Sequence, residues 1–446
     1  MSAIWTDENK FQAWLNVELA VLRVREQRGE IPAGTTDGIQ AVVVIDRNTA
    51  VAINSRERVI GHDLNAFVEI VRHQMCRGEN PETIEEVLAK GHPDKWDMYF
   101  HQGMTSYDTE EPAMALLFRQ AGKVIDTGVS RVRNALFQLA KHHRGRLMIG
   151  RTHGQWAQPV TFGKRCLDWL DLVAMAAGDL FHSSMPCETM KLSGAVGLYG
   201  TLGPEIEAAV AKELGLEAAK IATQIMSLDR RARCVNALAE LAAVIEKIAR
   251  DLWLLSQSEI GEVREPFGKK QKGSSAMPHK KNPITLEKLF GLSRLIRGYA
   301  HAMLENVATA HERDISHSSV ERIAVPDAYG LVDHMLNQLG RVLEGLHVDG
   351  DRMAANLAAT QGTYASQEAA SLLMGKGMPA ETAYRLIQQA SFMALQYGQP
   401  LKRLLIVNEE FAEAGKLLKG DPELDRIFDP SWWVRHEGVY YERFGL

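Results

Sequence analysis

Proline is scarce in this chain of 446 residues, 15 in all, and residues 229–260 contain neither proline nor glycine. Nothing there interrupts a helix. The four cysteines (Cys76, Cys166, Cys187, Cys234) are far apart and form no CxxC pair. They read as reduced, mostly buried thiols rather than a disulfide framework or a redox pair. No uninterrupted apolar run approaches membrane-spanning length. Residues 1–10 lack the cationic start and apolar core of a secretory signal, so a cytoplasmic location without a membrane partner is expected. Charge of one sign is lacking too: 51 basic against 56 acidic residues leave a net charge of −5. That gives no footprint for nucleic acid. Strand-like alternation is nearly absent, apart from short glycine-containing stretches such as Lys191-Leu-Ser-Gly-Ala-Val-Gly-Leu-Tyr199.

Helical periodicity is what the chain has in quantity. Within 229–260, Val235, Leu238, Leu241, Val244, Ile245, Ile248, Leu252 and Leu255 recur at spacings of mostly three and four. The spacing predicts one broad apolar stripe on a helix of roughly 30 residues, about 45 Å long. A second long helix is expected from Pro283 through Leu286, Leu289, Leu292, Ile296, Tyr299 and Met303, a third from Pro112 towards His143, and another through Leu331, Met335, Leu339 and Leu343. Helices of this length exceed the globular norm and point to a bundle, so the fold class is all-α. At this length two or three domains are expected. A connector over residues 78–96 closes an N-terminal domain, 1–103. A long-helix domain, 104–350, follows, and the Val348-Asp-Gly-Asp351 turn opens a C-terminal domain, 351–446.

The densest chemistry lies in Gly273-Ser-Ser-Ala-Met-Pro-His-Lys-Lys-Asn-Pro283, behind the lysine-studded stretch 264–272. Glycine and proline mark it as a loop. A mobile cationic loop carrying Ser274, Lys280 and Asn282 suits closing over a carboxylate. Three histidine clusters stand elsewhere: Gly150-Arg-Thr-His153-Gly-Gln-Trp-Ala-Gln-Pro159, a polar knot between two helical stretches; His101-Gln-Gly-Met-Thr105-Ser106; and His311 to Arg322. Each histidine alone reads as structural. None has metal-ligand spacing, so no metal and no cofactor are expected. The Gly268–Gly273 spacing is not a phosphate loop, because Ser274 stands where the lysine should be.

Together these motifs resemble the adenylosuccinate lyases of the fumarase/aspartase superfamily. The resemblance runs from Ile4-Trp-Thr-Asp-Glu-Asn-Lys-Phe11 through His62-Asp-Leu-Asn-Ala-Phe67, Gly150-Arg-Thr-His-Gly154, Lys191-Leu-Ser-Gly-Ala-Val196 and the glycine-serine loop to Phe428-Asp-Pro430. Glu312-Arg-Asp-Ile-Ser-His-Ser-Ser-Val-Glu-Arg322 is the most diagnostic segment, and His279 points away from fumarases and aspartases. The resemblance implies a three-domain fold whose central long-helix bundle forms the multi-helix core of a homotetramer, with active sites shared between subunits. It implies release of fumarate from an anionic N-succinyl amine, with Ser274 as base and His153 as acid. Removing a weakly acidic proton and protonating a departing nitrogen requires both. Lys280 and Asn282 are implied to hold the carboxylate whose charge grows, an oxyanion site in another form. Thr105 and Ser106 match the succinyl-binding hydroxyls, His101 and Gln224 substrate contacts, and His62 the N-terminal active-site histidine. Arg313, Ser318 and Arg322 match the nucleotide-phosphate contacts.

Two departures bear on the substrate. The Arg-Tyr pair that precedes Ile-Trp in the family is missing, which means either a late start codon or a weaker phosphate grip. Tyr107 and Thr109-Glu110-Glu111-Pro112 replace a small hydroxyl and an apolar–Asp–Thr run, adding bulk and negative charge beside the succinyl site. The first expectation is cleavage of adenylosuccinate, and of the succinyl-carboxamide ribotide of purine synthesis. The alternative is a paralogue acting on a different N-succinyl compound, whether a nucleotide or not.

Overall fold

The computed structural model describes residues 1–76 and 83–446. Residues 78–82 of the expected connector lie outside them; within the rest of it, Thr83 and Glu86 form a capping box that starts the short helix Ile84–Lys90. The chain folds into two compact units, each discontinuous in sequence. The first comprises Met1–Gly128, Ala176–Ala243 and Leu292–Met335, and the second Val129–Met175, Val244–Gly291 and Leu336–Leu446.

Helices dominate. Those used below are α1 (Asp7–Gln27), α2 (Asp63–Cys76), α3 (Ser106–His142), α4 (Phe162–Ser184), α5 (Asp229–Leu255), α6 (Ile284–Glu305) and α7 (Ser316–Glu344). Helices α5 and α6 match the expected periodic stretches, and α6 begins directly after Pro283. Helix α3 begins six residues before Pro112, which the helix accommodates in its interior. Its start is fixed by the Asp108 carboxylate, which accepts from the backbone N–H of Thr105 at 2.9 Å. That contact is half of a capping box and offsets the one backbone bond that Pro112 forgoes.

In the first unit, the apolar face of α1 carries Phe11 and Trp14 against Phe67 of α2. The Phe11–Trp14 and Trp14–Phe67 ring centroids are 5.2 and 5.4 Å apart, both edge-on. Edge-to-face packing of this kind adds to what area burial contributes. In the second unit, a separate core gathers Ala365, Leu373, Ile387, Leu401, Leu405, Phe411 and Leu424 from short C-terminal helices. Strands are few: a hairpin of β1 (Leu147–Thr152) and β2 (Gln155–Thr161), plus two-residue ladders at Thr189–Met190 with Glu217–Ala218 and at Val263–Arg264 with His347–Val348. The Lys191–Tyr199 stretch, which looks strand-like in sequence, is a turn region that follows a two-residue strand. Its backbone polar groups turn inward instead, with Tyr199 N–H donating to the Ser193 carbonyl at 2.9 Å.

Candidate active site

The polar knot around His153 is a β-hairpin, and its geometry follows from two residues. His153 and Gly154 both have left-handed backbone, at φ 53° and 74°, and form the two-residue link between β1 and β2. Positive φ at both central positions is the pattern of a type I′ turn, whose twist matches that of paired strands. Histidine is among the few side chains that enter this region readily. The ladder is irregular between Ile149 and Arg151, around Gly150. A Cβ there would lie 2.7 Å from the Gln158 carbonyl oxygen, so only glycine fits. The imidazole of His153 is exposed at the tip and bonds to no described residue.

Two residues upstream, Arg151 reaches the fully buried carboxylate of Glu262 with two nitrogens, at 3.1 and 3.0 Å. Asn356 donates to the same carboxylate at 2.8 Å. Glu262 leads directly into the short ladder of Val263–Arg264 with His347–Val348. Next comes Glu265, whose carboxylate accepts from the N–H groups of Thr285 and Leu286 at 3.4 and 3.3 Å, at the start of α6. Burial raises the Glu265 carboxyl above its ordinary range, although these N–H donors favour its charge. The glycine-serine loop is therefore pinned at both ends.

Between the pins the loop closes on itself. A Cβ on Gly273 would lie 2.1 Å from the Lys280 carbonyl oxygen and 2.9 Å from the Lys281 Cα. Glycine is what lets the two arms touch. Inside the loop, Ser274 Oγ accepts from the N–H groups of Ala276 and Met277, at 3.3 and 3.1 Å. The side chains of Lys280 and Asn282 bond to no described residue. The ammonium of Lys281 stands over the Phe267 ring at 5.3 Å.

The remaining sequence-predicted residues belong to the first unit, on first turns of helices and on the loops between helices. His62 precedes α2 and accepts the N–H of Asn65 on Nδ1 at 3.3 Å, and its Nε2 lies 3.5 Å from Ser106 Oγ. Thr105 and Ser106 stand at the start of α3, where a long helix offers positive potential to an anion. His101, at φ 60°, contacts the buried carboxylate of Glu18 through Nδ1 at 2.7 Å, and Thr109 donates to that same oxygen at 2.6 Å. Glu18 fixes the ring and leaves Nε2 outward. Arg313 donates to Gln224 Oε1 at 3.2 Å and stacks on the Tyr107 ring, with its guanidinium 3.9 Å from the centroid. Arg322 donates to Asp63 at 2.8 Å.

A cavity of about 250 Å³ opens among these turns. Its wall includes Trp5 and Lys10 before and in α1, Asp63 in α2, Glu110 in α3, and Ser318 and Arg322 in α7. Behind it lies buried charge. Arg231 bridges Glu111 and Glu321, the latter at 2.7 Å, and Lys191 pairs with Asp108 at 2.7 Å. Glu111 also accepts the N–H of Met226 at 3.0 Å. Pairs this deep fix geometry more than they add stability. Sequence reading missed Glu18, Asp63, Arg151, Lys191 and Glu262. The one available signal was a lone acid in an apolar run, Val17-Glu18-Leu19-Ala20.

Comparison with known proteins bears on the family and the fold. Residues 1–298 match the model of a lyase family, and residues 362–444 match that of the adenylosuccinate lyase C-terminus. A fumarate lyase structure from Mesorhizobium sp. BNC1 superposes with a TM-score of 0.84 at 25% identity, over 99% of this chain and 96% of that one. The fold is thus that of the fumarase/aspartase lyases, and the chain is a carbon–nitrogen lyase. Adenylosuccinate lyase of Aquifex aeolicus is 36% identical over 99% of this chain and 96% of its own length; that of Thermotoga maritima is 37% identical over 100% and 97%. The chain belongs to the adenylosuccinate lyase family.

Proposed function

We propose that the chain cleaves adenylosuccinate to AMP and fumarate, and the succinyl-carboxamide ribotide of purine synthesis by the same chemistry. The observation that carries this reading is the end-to-end identity of 36–37% to adenylosuccinate lyases. Ser274 is the base that takes the proton beside the succinyl carboxylate. The two amide N–H groups on its oxygen support an alkoxide there, and the nearby lysines add positive potential. His153 is the acid that protonates the leaving nitrogen. Lys280 and Asn282, whose side chains have no described partner, hold the carboxylate that gains charge. Thr105, Ser106 and His62 bind the succinyl group; His101 and Gln224 contact the substrate; Arg313, Ser318 and Arg322 take the phosphate.

The working unit in this reading is a homotetramer with active sites shared between subunits, built on a division into 1–103, 104–350 and 351–446. Support comes from large apolar side chains exposed on the long helices: Met175 (64%) and Phe181 (57%) on α4, Leu295 and Leu304 (52% each) on α6. Apolar surface of this kind marks an interaction face. A cytoplasmic setting accompanies it, supported by four free cysteines.

A second reading, cleavage of a non-nucleotide N-succinyl compound, is favoured by one observation: Asp63 and Glu110 put carboxyl groups into the cavity beside Arg322. Fumarate release, followed by absorbance across N-succinyl compounds with and without a nucleotide phosphate, separates the two. Turnover confined to phosphate-free compounds overturns the first reading.

A further inference from the structure

The carboxyl groups that line the first unit's cavity are not equivalent. Asp63 accepts from Arg322 at 2.8 Å, Glu321 from Arg231 at 2.7 Å, and Asp7 from Asn54 at 2.7 Å. Glu110 alone among them has no hydrogen bond and no ion pair with a described residue. It stands one turn into α3, partly buried, and lines the same cavity as Ser318, Arg322 and Lys10. Lys10 in turn has no ion pair among the described residues and lies over the Phe11 and Trp14 rings at 4.8 and 4.7 Å. The cavity therefore offers an anion a cation, a hydroxyl and helix N-termini, with one uncommitted carboxyl group in its wall.

We propose that Glu110 determines which anion the cavity accepts: as the neutral acid it donates a hydrogen bond to a phosphate held by Ser318, Arg322 and Lys10, and as the carboxylate it repels that phosphate. This rests on the adenylosuccinate reading for the identity of the natural ligand. The surroundings of Glu110 suit a proton-holding role. Burial first, and the charge of Asp63 second, push its carboxyl up to about 8, while Lys10, Arg313 and Arg322 pull the other way. The other charged groups nearby are Asp7 on α1, Tyr107 and Glu111 on its own helix, Arg231 on α5, and His317 and Glu321 on α7. Arg231 pairs with both Glu111 and Glu321, so those carboxyl groups are committed to an ion pair, as Glu110 is not. A phosphate monoester is already a dianion above about pH 7, since its second pKa is near 6. Binding above the Glu110 pKa must therefore take up a proton at the protein.

The test is calorimetric binding of AMP and of inorganic phosphate to the full chain between pH 7.5 and 9.5, in buffers of different ionisation enthalpy. The unaltered protein is expected to take up close to one proton per ligand at the alkaline end, with Kd rising up to about tenfold per pH unit beyond the Glu110 pKa. Glu110→Gln keeps size and a donor but cannot ionise. It is expected to bind with a flat pH profile and up to about thirtyfold more tightly than the unaltered protein at pH 9.5. The same Kd profile in both proteins, or no proton uptake by the unaltered protein, overturns the proposal. Proton counting on the unaltered protein decides the matter even if the variant misfolds. If AMP does not bind and adenylosuccinate is not cleaved, the substrate reading fails. The Glu110 proposal is then judged on inorganic phosphate, and absence of phosphate binding at pH 7.5 overturns it as well.

Discussion

Arg151 grips the Glu262 carboxylate with two nitrogens at 3.1 and 3.0 Å, and thereby ties the hairpin that presents His153 to the segment that leads into the Ser274 loop. Glu262 is completely buried. Glu262→Ala is expected to lower stability by about 3–5 kcal/mol, because it strands the guanidinium without a partner. Denaturant unfolding measures this; a loss below about 1 kcal/mol contradicts a structural role for the pair.

Ser274→Ala should reduce kcat by about 10²–10⁴-fold or more while substrate affinity stays close to that of the unaltered enzyme. The hydroxyl works on a proton and is not the group that grips the ligand. Steady-state kinetics with a separate binding measurement checks it, and near-normal turnover removes Ser274 from the role of base.

Mixing His153→Ala with Ser274→Ala under conditions that exchange subunits should restore a fraction of activity. Hybrid assemblies then contain some sites with neither lesion. Demonstrated exchange without recovery refutes active sites shared between subunits.

Gly273→Ala should cost about 10²-fold in kcat with little change in Tm. The added methyl meets the Lys280 carbonyl at 2.1 Å and must spread the two arms of an otherwise exposed loop. Retention of full activity would mean that the closed loop seen here is not the working one.

The pH dependence of stability has a definite sign at Glu110. Its carboxyl is raised to about 8 in the folded protein. The unfolded chain, with an ordinary carboxyl near 4.3, releases its proton first as pH rises. Stability from this group is therefore fully present below about pH 4 and is lost progressively up to about pH 8. Glu110→Gln should flatten that slope, so that the gain in Tm over the unaltered protein is larger at pH 8 than at pH 5. An equal Tm difference at both pH values contradicts the shifted carboxyl.

Long helices were legible because their apolar residues repeat at three and four, a local property that survives any packing. Helices α5 and α6 follow from that spacing alone. The β1–β2 hairpin was not legible: Gly150 to Pro159 is polar and shows no alternation, and its strand character comes from cross-strand pairing around two left-handed residues. Among the candidate site residues, those carried by dense motifs stood out in the sequence, whereas the residues that contact them did not. Glu18 lies 83 residues from His101 and 91 from Thr109, and Asp63 lies 259 residues from Arg322. No short-range pattern encodes contacts of that kind; they exist only after the helices have been laid side by side.

The left-handed turn at His153 also bears on how such a protein can change over generations. The backbone there admits glycine, asparagine, aspartate and histidine with little strain, and excludes branched side chains. A single-base change from histidine to asparagine keeps a side chain that this backbone accepts while removing the imidazole proposed as the acid. Loss of chemistry at this position is thus uncoupled from loss of shape, and a descendant could keep the whole helical scaffold, free for another use, after its catalysis had gone.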